Sequence, residues 1–179
     1  MGVEGNTVAI AGDMRFQYGR FLTGSAVADG TNVVDSQFGV DFSATPGQFR
    51  LRNVANNSVS TFFTGTQAVS WYINNTGSAL SYTAPGGAAA QVAHDTADIY
   101  VGNQLVFDDI AQPNSNPLRL HDFKISWTTG VTLNIGTVFH VDNILVSDIT
   151  PVPEPGASTW IAAAAAGWAL LRRPRRPKR

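Results

Sequence analysis

The chain of 179 residues is long enough for one domain with a substantial hydrophobic core. Only 14% of its residues are charged, and it has two glutamates and two lysines. Because exposed helix faces are usually rich in Glu and Lys, the composition favours a β-rich protein. The absence of cysteine excludes disulfides, thiol nucleophiles and thiolate metal sites.

The net charge of −1 conceals an acidic body and a basic end. Residues 1–155 hold all thirteen acidic side chains and six basic ones, a net charge of −7, and residues 172–179 hold the other six basic side chains. An acidic domain repels phosphate backbones. We therefore expect no nucleic-acid partner.

Short segments between residues 14 and 149 alternate apolar and polar side chains, which is the pattern of strands with one buried face. The alternation is clear in residues 14–18, 38–42, 49–51, 69–73, 99–107 and 123–127. Trp71 and Trp127 share their parity with apolar neighbours, so we expect both in the core. The segments 84–95 and 110–117 are predicted to be long loops.

The end of this region predicts a hairpin through residues 131–135, after a Thr-Thr-Gly break, and a last strand. Phe139, Val141, Leu145 and Ile149 would form one face of that strand. Because no segment of the body has a helical period, we predict an all-β domain over residues 1–150. Strands with one apolar face each are most simply buried as two antiparallel sheets, a jelly-roll or concanavalin-like sandwich.

The pattern changes at Pro151. Residues 151–155 form a proline-rich linker, and residues 156–171 contain no charge. As a helix, that segment spans about 24 Å, against about 30 Å for a bilayer core. We predict a single short transmembrane helix there, followed by a basic cytoplasmic tail over residues 172–179.

The last 29 residues resemble the PEP-CTERM sorting signal. Residues 156–171 match its apolar segment, and the motif residues are Val152, Pro153, Glu154 and Pro155. The basic, stop-transfer cluster consists of Arg172, Arg173, Arg175, Arg176, Lys178 and Arg179. Residues 95–110 and 138–149 also resemble parts of exported lectin-like sandwiches of the concanavalin or laminin-G type.

The resemblance implies that exosortase, a membrane-embedded cysteine protease of Gram-negative bacteria, recognises the chain. It also implies an exported protein that passes through the inner membrane and is cleaved near the motif. The product would reach the cell surface or an extracellular polysaccharide matrix, as in biofilms. Such proteins begin with a signal peptide, which the start of this sequence does not show, so we expect the natural start to lie upstream.

Catalytic patterns are missing from the sequence. Sandwich glycoside hydrolases need a pair of carboxylates, yet Glu4 lies near the start of the chain and Glu154 in the sorting motif. Asp108 and Asp109 are adjacent, and adjacent strand residues point to opposite faces unless a bulge intervenes. We therefore predict no catalytic residue and a body that is not an enzyme.

Two kinds of binding residue remain as candidates. Glycan binding calls for exposed aromatic rings beside amides, and Tyr72, Tyr82 and Tyr100 are of this type, although partly buried sheet positions are the alternative. No cofactor is predicted, but a structural calcium ion could be bound by aspartates. The candidates are Asp41, Asp108, Asp109 and Asp142.

The sequence as a whole predicts a sorted cell-surface or matrix protein whose body binds glycan or has a structural role. Two alternatives remain. One is a glycan-active enzyme of the lectin-like fold. The other is an envelope protein that keeps its membrane anchor.

Overall fold

Twelve strands and no helix occur in the computed structural model of the chain, which describes residues 1–21, 33–114, 122–127 and 137–146. Every strand pair is antiparallel. The prediction of an all-β, antiparallel body is therefore confirmed for this part of the chain. The strands are β1 Gly2–Glu4, β2 Ile10–Gly19, β3 Val34–Phe42, β4 Gln48–Arg52, β5 Phe63–Thr64, β6 Val69–Asn74, β7 Leu80–Thr83, β8 Ala89–Val92, β9 Thr96–Val101, β10 Gln104–Ala111, β11 Asp122–Trp127 and β12 Val138–His140.

The largest sheet has the order β11-β2-β3-β4-β5. Its apolar face follows the alternation seen in the sequence, because Phe16 of β2 lies opposite Phe38 of β3 and Ile125 of β11. The rings of Phe16 and Phe38 stack with their centroids 4.9 Å apart. Both rings are almost fully buried, so this face forms one wall of the core.

A three-stranded sheet, in the order β10-β9-β6, supplies the opposite wall. Ile99 of β9 is fully buried in the same hydrophobic cluster as Phe16 and Phe38. Trp71 of β6 packs edge-on against Phe38 with the ring centroids 5.1 Å apart. Trp71 and Trp127 both pack against the core, as predicted.

The segment 84–95, predicted to be a loop, contains a strand, so that prediction is wrong. Residues 89–92 form β8, which pairs with β7 in a hairpin. Gly86 and Gly87 have φ values of 96° and 89°, which glycine adopts without steric strain and which turn the chain between the two strands. The alanines of β8 gave no alternation of large apolar residues, and the hairpin was missed for that reason.

The hairpin covers the second face of the three-stranded sheet. A small hydrophobic cluster of Tyr82, Ala84, Val92 and Tyr100 lies between them. This part of the body therefore has three layers, which are the large sheet, the small sheet and the hairpin.

The predicted last strand is shorter than expected. The β12 strand ends at His140 and pairs with β1 through Phe139 and Val3. Leu145, predicted to face the core with Phe139, is 86% exposed. The predicted hairpin at 131–135 lies outside the described residues.

Residues Met1–Leu145 form one compact unit, and of the second unit, Val146–Arg179, only Val146 is described. The predicted boundaries after residues 150, 155 and 171, with the transmembrane segment 156–171, therefore stay predictions. Within the described ranges, no helix has the length and apolar character needed to cross a bilayer.

Candidate functional site

A bulge in β10 brings three carboxylates together. Phe107 pairs with Ile99, and Ile110 pairs with Ala97, so two residues of β10 oppose the single residue Asp98 of β9. Those two residues are Asp108 and Asp109, the pair that was expected to diverge unless a bulge intervened. Carboxylate oxygens of the three aspartates lie within 4.8 Å of one another.

Asp98 is the buried member of this carboxylate cluster, with 1% of its surface exposed. Its Oδ1 accepts a hydrogen bond from the backbone N–H of Asp109 at 2.8 Å. Its Oδ2 accepts one from the hydroxyl of Tyr82 at 2.6 Å. Burial raises the pKa of Asp98, and the charges of Asp108 and Asp109 add to this, whereas the two hydrogen bonds act in the opposite direction.

Asp109 ties the bulge to the turn before β9. Its Oδ1 accepts hydrogen bonds from the backbone N–H of Ala93 at 2.7 Å and from the hydroxyl of Thr96 at 2.8 Å. Its φ is 48°, in the left-handed region that Asp tolerates better than most residues. These contacts give Asp109 a structural role in holding the bulge.

The three tyrosines predicted as glycan-binding residues lie together beside Asp98. The hydroxyls of Tyr82 and Tyr100 are 2.9 Å apart, and the ring of Tyr72 stacks on that of Tyr82 with a centroid distance of 4.1 Å. Tyr82 and Tyr100 are only 8% and 5% exposed. They therefore present no open ring face to a sugar, and the expectation of exposed rings is not met for these two residues.

Tyr72 is the partly exposed member of the tyrosine cluster. Its hydroxyl donates a long hydrogen bond of 3.4 Å to the carbonyl oxygen of Thr83. Burial raises the pKa of Tyr72, with a contribution from Tyr100, and burial together with the hydrogen bond to Asp98 raises the pKa of Tyr82 further. The hydroxyls of Tyr72 and Tyr82 therefore stay protonated at neutral pH.

Asp41 and Asp142, the other predicted calcium ligands, do not join this cluster. Asp41 is buried in the large sheet, where its two oxygens accept hydrogen bonds from Nε of Arg50 and Nε of Arg52, each at 3.2 Å. Asp142 accepts a hydrogen bond from the backbone N–H of Asn143 at 2.8 Å. Of the four candidate calcium ligands, the structure therefore brings only Asp108 and Asp109 together.

Asp98 was missed by the sequence analysis. The signal was its position on β9, where Thr96, Asp98 and Tyr100 alternate with the core residues Ala97 and Ile99. A carboxylate cluster of this kind can hold a divalent cation through the exposed Asp108 and Asp109. The carboxyl of Asp98, whose pKa is raised, can also serve as a proton donor.

A separate cleft of about 370 Å³ opens beside the main core. Its walls come from β2, β11 and β12 and the residue on either side of β12. The lining residues are Met14, Ile125, Trp127, Thr137, Phe139 and Val141. The walls are mainly apolar, and none of the described residues that line the cleft carries a carboxylate.

The sorting motif, Val152 to Pro155, and the basic cluster from Arg172 to Arg179 lie outside the described residues. Comparison with protein-family models, with curated proteins and with solved structures found no match to this chain.

Proposed function

We propose that this chain is an exported surface or matrix protein that exosortase sorts through its C-terminal segment, and that its body is a non-enzymatic β-sandwich. The observation that carries this proposal is the order of three features in the last 29 residues. A Pro-Glu-Pro motif precedes sixteen uncharged residues, and these precede a cluster of six basic residues. A plain anchor needs the apolar span and the charges, but not the motif.

The physical properties of the segment agree with a removable signal. Sixteen residues give a helix of about 24 Å, which is short for a bilayer core of about 30 Å. The basic cluster stops translocation and keeps the C-terminus in the cytoplasm. Pro153 and Pro155 hold Glu154 in an extended backbone, the conformation in which proteases bind their substrates.

The body fits a structural or glycan-binding module of jelly-roll or concanavalin-like type. Two antiparallel sheets enclose one core, which is the common arrangement of such sandwiches. The burial of Tyr82 and Tyr100 favours a structural role for the tyrosine cluster. Glycan contact would be left to the partly exposed Tyr72 and to surfaces outside the cluster.

The test is the C-terminal mass of the protein isolated from the surface of a bacterium that has exosortase. We expect a product that ends near Pro153-Glu154-Pro155 and lacks Arg179. An Ala substitution at Glu154 should leave the full-length chain in the inner membrane. Surface material that still carries Arg179 would overturn the sorting proposal and support a permanent anchor.

One observation favours a second candidate, a glycan-active enzyme. The bulge places the carboxylates of Asp108 and Asp109 beside Asp98, whose pKa is raised by burial. Paired carboxyls with separated pKa values are what glycoside hydrolysis requires. Release of reducing sugar from bacterial polysaccharides, abolished by Asp98→Asn and by Asp108→Asn, would establish this activity in place of a binding role.

A further inference from the structure

At one end of the three-stranded sheet, three buried side-chain oxygens have no hydrogen-bond partner among the described residues. They belong to Asn75, Asp95 and Gln112. Asn74 pairs with Thr96, and Ala111 pairs with the same Thr96. Asn75, Asp95 and Gln112 are the next residues beyond these pairs: Asn75 follows β6, Asp95 precedes β9 and Gln112 follows β10. They therefore form a row across the end of the sheet, and residues in such a row have neighbouring side chains.

Hydrogen bonds of Gln112 hold this row together. Its backbone N–H donates to the carbonyl oxygen of Asp95 at 3.0 Å. Its side-chain Nε2 donates to the carbonyl oxygens of Asn74 and Thr96, at 3.2 and 3.0 Å. Since Oε1 is bonded to the same carbon as Nε2, it lies close to the carbonyl groups of Asn74 and Thr96, the residues next to Asn75 and Asp95 in the sequence.

The three oxygens are buried and lack partners. Asn75 is 8% exposed, and within the described ranges neither its Oδ1 nor its Nδ2 has a hydrogen-bond partner. The same holds, among the described residues, for Oδ1 of Asp95 and Oε1 of Gln112. Leaving such buried groups unpaired destabilises the protein, so a ligand that satisfies several of them is favoured.

Asp95 is fixed in a position that leaves one oxygen available. The backbone N–H of Gly77 donates to Nδ1 of His94 at 3.0 Å, so the ring proton is on Nε2. That nitrogen lies 3.2 Å from Oδ2 of Asp95. His94 therefore engages Oδ2 and leaves Oδ1 available to a ligand.

We propose that a calcium ion binds to Oδ1 of Asn75, Oδ1 of Asp95 and Oε1 of Gln112. Calcium takes carboxylate, amide and backbone carbonyl oxygens in flexible geometry, whereas magnesium demands a nearly ideal octahedron. The net charge of −7 over residues 1–155 favours a cation over an anion. With one carboxylate the site is weak, in the range of about 10⁻⁴–10⁻³ M typical of extracellular modules.

The test is titration of the full-length protein with calcium chloride after EDTA treatment, followed by calorimetry and thermal unfolding. We expect a Kd below millimolar, a melting temperature that rises with calcium, and a weaker effect of magnesium. Asp95→Asn keeps the shape and the tolerance of a positive φ, and it should weaken binding at least about tenfold. The control Glu4→Gln, at an exposed carboxylate of β1, should change the Kd less than about twofold.

A second variant, which adds a negative charge to the site, tests the proposal even if Asp95→Asn folds poorly. Asn75→Asp adds a carboxylate ligand, so it should bind calcium several-fold more tightly and be stabilised by it. If these groups enclose only water, the added buried charge will lower stability equally with and without calcium, and this result would overturn the proposal. An absent calcium effect in the native protein, or an effect that Asp95→Asn retains in full, would overturn it as well.

Discussion

The hydroxyl of Tyr82 donates a 2.6 Å hydrogen bond to Oδ2 of Asp98, and this contact joins the β7–β8 hairpin to the three-stranded sheet. Both residues are buried, and the hydroxyl of Tyr100 lies 2.9 Å from that of Tyr82. A polar contact of this kind fixes the hairpin in one position, because any other arrangement leaves a buried carboxyl without its donor.

Removing the hydroxyl should therefore destabilise the body. We expect Tyr82→Phe to lower the free energy of unfolding by about 1–3 kcal/mol, since it leaves an oxygen of Asp98 buried without its donor. Urea unfolding measures this. Tyr72→Phe is the matched control, because its hydroxyl makes a long contact of 3.4 Å, and its effect should stay within about 0.5 kcal/mol. Equal losses in the two variants would contradict this role of the Asp98 contact.

Asp98 should make stability depend on pH. Burial holds its folded-state pKa above the ordinary value of 3.8, so the folded protein retains the proton more strongly than the unfolded chain. The stabilisation from protonated Asp98 is complete below the unfolded pKa and is lost as pH rises through the folded pKa. Asn does not titrate at this position. As pH rises from the unfolded pKa of Asp98 through its folded pKa, the native protein should therefore lose stability relative to Asp98→Asn.

Urea unfolding at a series of pH values measures this difference between the two proteins. Asp108→Asn provides the internal check, since it removes a neighbouring negative charge that raises the pKa of Asp98. In that variant the loss should occur at lower pH. A difference that is constant with pH, or that grows in favour of the native protein, would show that Asp98 is not perturbed in this direction.

The buried ion pairs of the large sheet should be important for stability. Asp41 is 2% exposed and faces Arg50 and Arg52. Asp41→Asn removes the charge and leaves both guanidinium groups without their counterion, which should cost about 3 kcal/mol. The exposed Asp142→Asn should change stability by less than about 0.5 kcal/mol under the same conditions. Thermal unfolding of the two variants measures this difference. Equal melting temperatures would contradict the role of Asp41.

Gly19 should be irreplaceable for a steric reason. A Cβ atom at this position would overlap the carbonyl oxygen of Val33, which the backbone N–H of Arg20 holds at 2.9 Å. Gly19→Ala should therefore cost about 1–3 kcal/mol, because backbone atoms have to move. At Gly2 an added Cβ would come closest to the movable hydroxyl of Thr66, at 3.2 Å, and its backbone contacts, at 3.4 Å and 3.5 Å, are of ordinary length. A loss of similar size in Gly2→Ala would contradict this explanation. Chemical denaturation gives both values.

The strands of the two core sheets could be predicted from sequence because each buries one face. Phe16, Phe38 and Ile99 alternate with polar residues, and the structure places all three in one hydrophobic cluster. The β7–β8 hairpin could not be predicted in the same way, since its apolar residues are mainly small alanines. Its position depends on contacts with Tyr82 that are distant in the sequence.

The candidate site was only partly predictable. Asp108 and Asp109 were identified as candidate ligands, but their meeting with Asp98 depends on a change of register that no local pattern encodes. The row of Asn75, Asp95 and Gln112 was missed because each member lies one residue outside a different strand, where the alternation has already ended. In both places, long-range register determines which side chains meet.

The irregularities of β10 also affect how molecules of this protein meet one another. In the described part of its sheet, β10 is at one edge, and its register shifts twice, between Leu105 and Phe107 and again between Phe107 and Ile110. A straight edge strand with exposed apolar side chains invites a strand from another molecule and leads to aggregation. Two register shifts and the negative charges of Asp108 and Asp109 prevent a continuous ladder from forming there, so this edge disfavours strand pairing between copies of the chain.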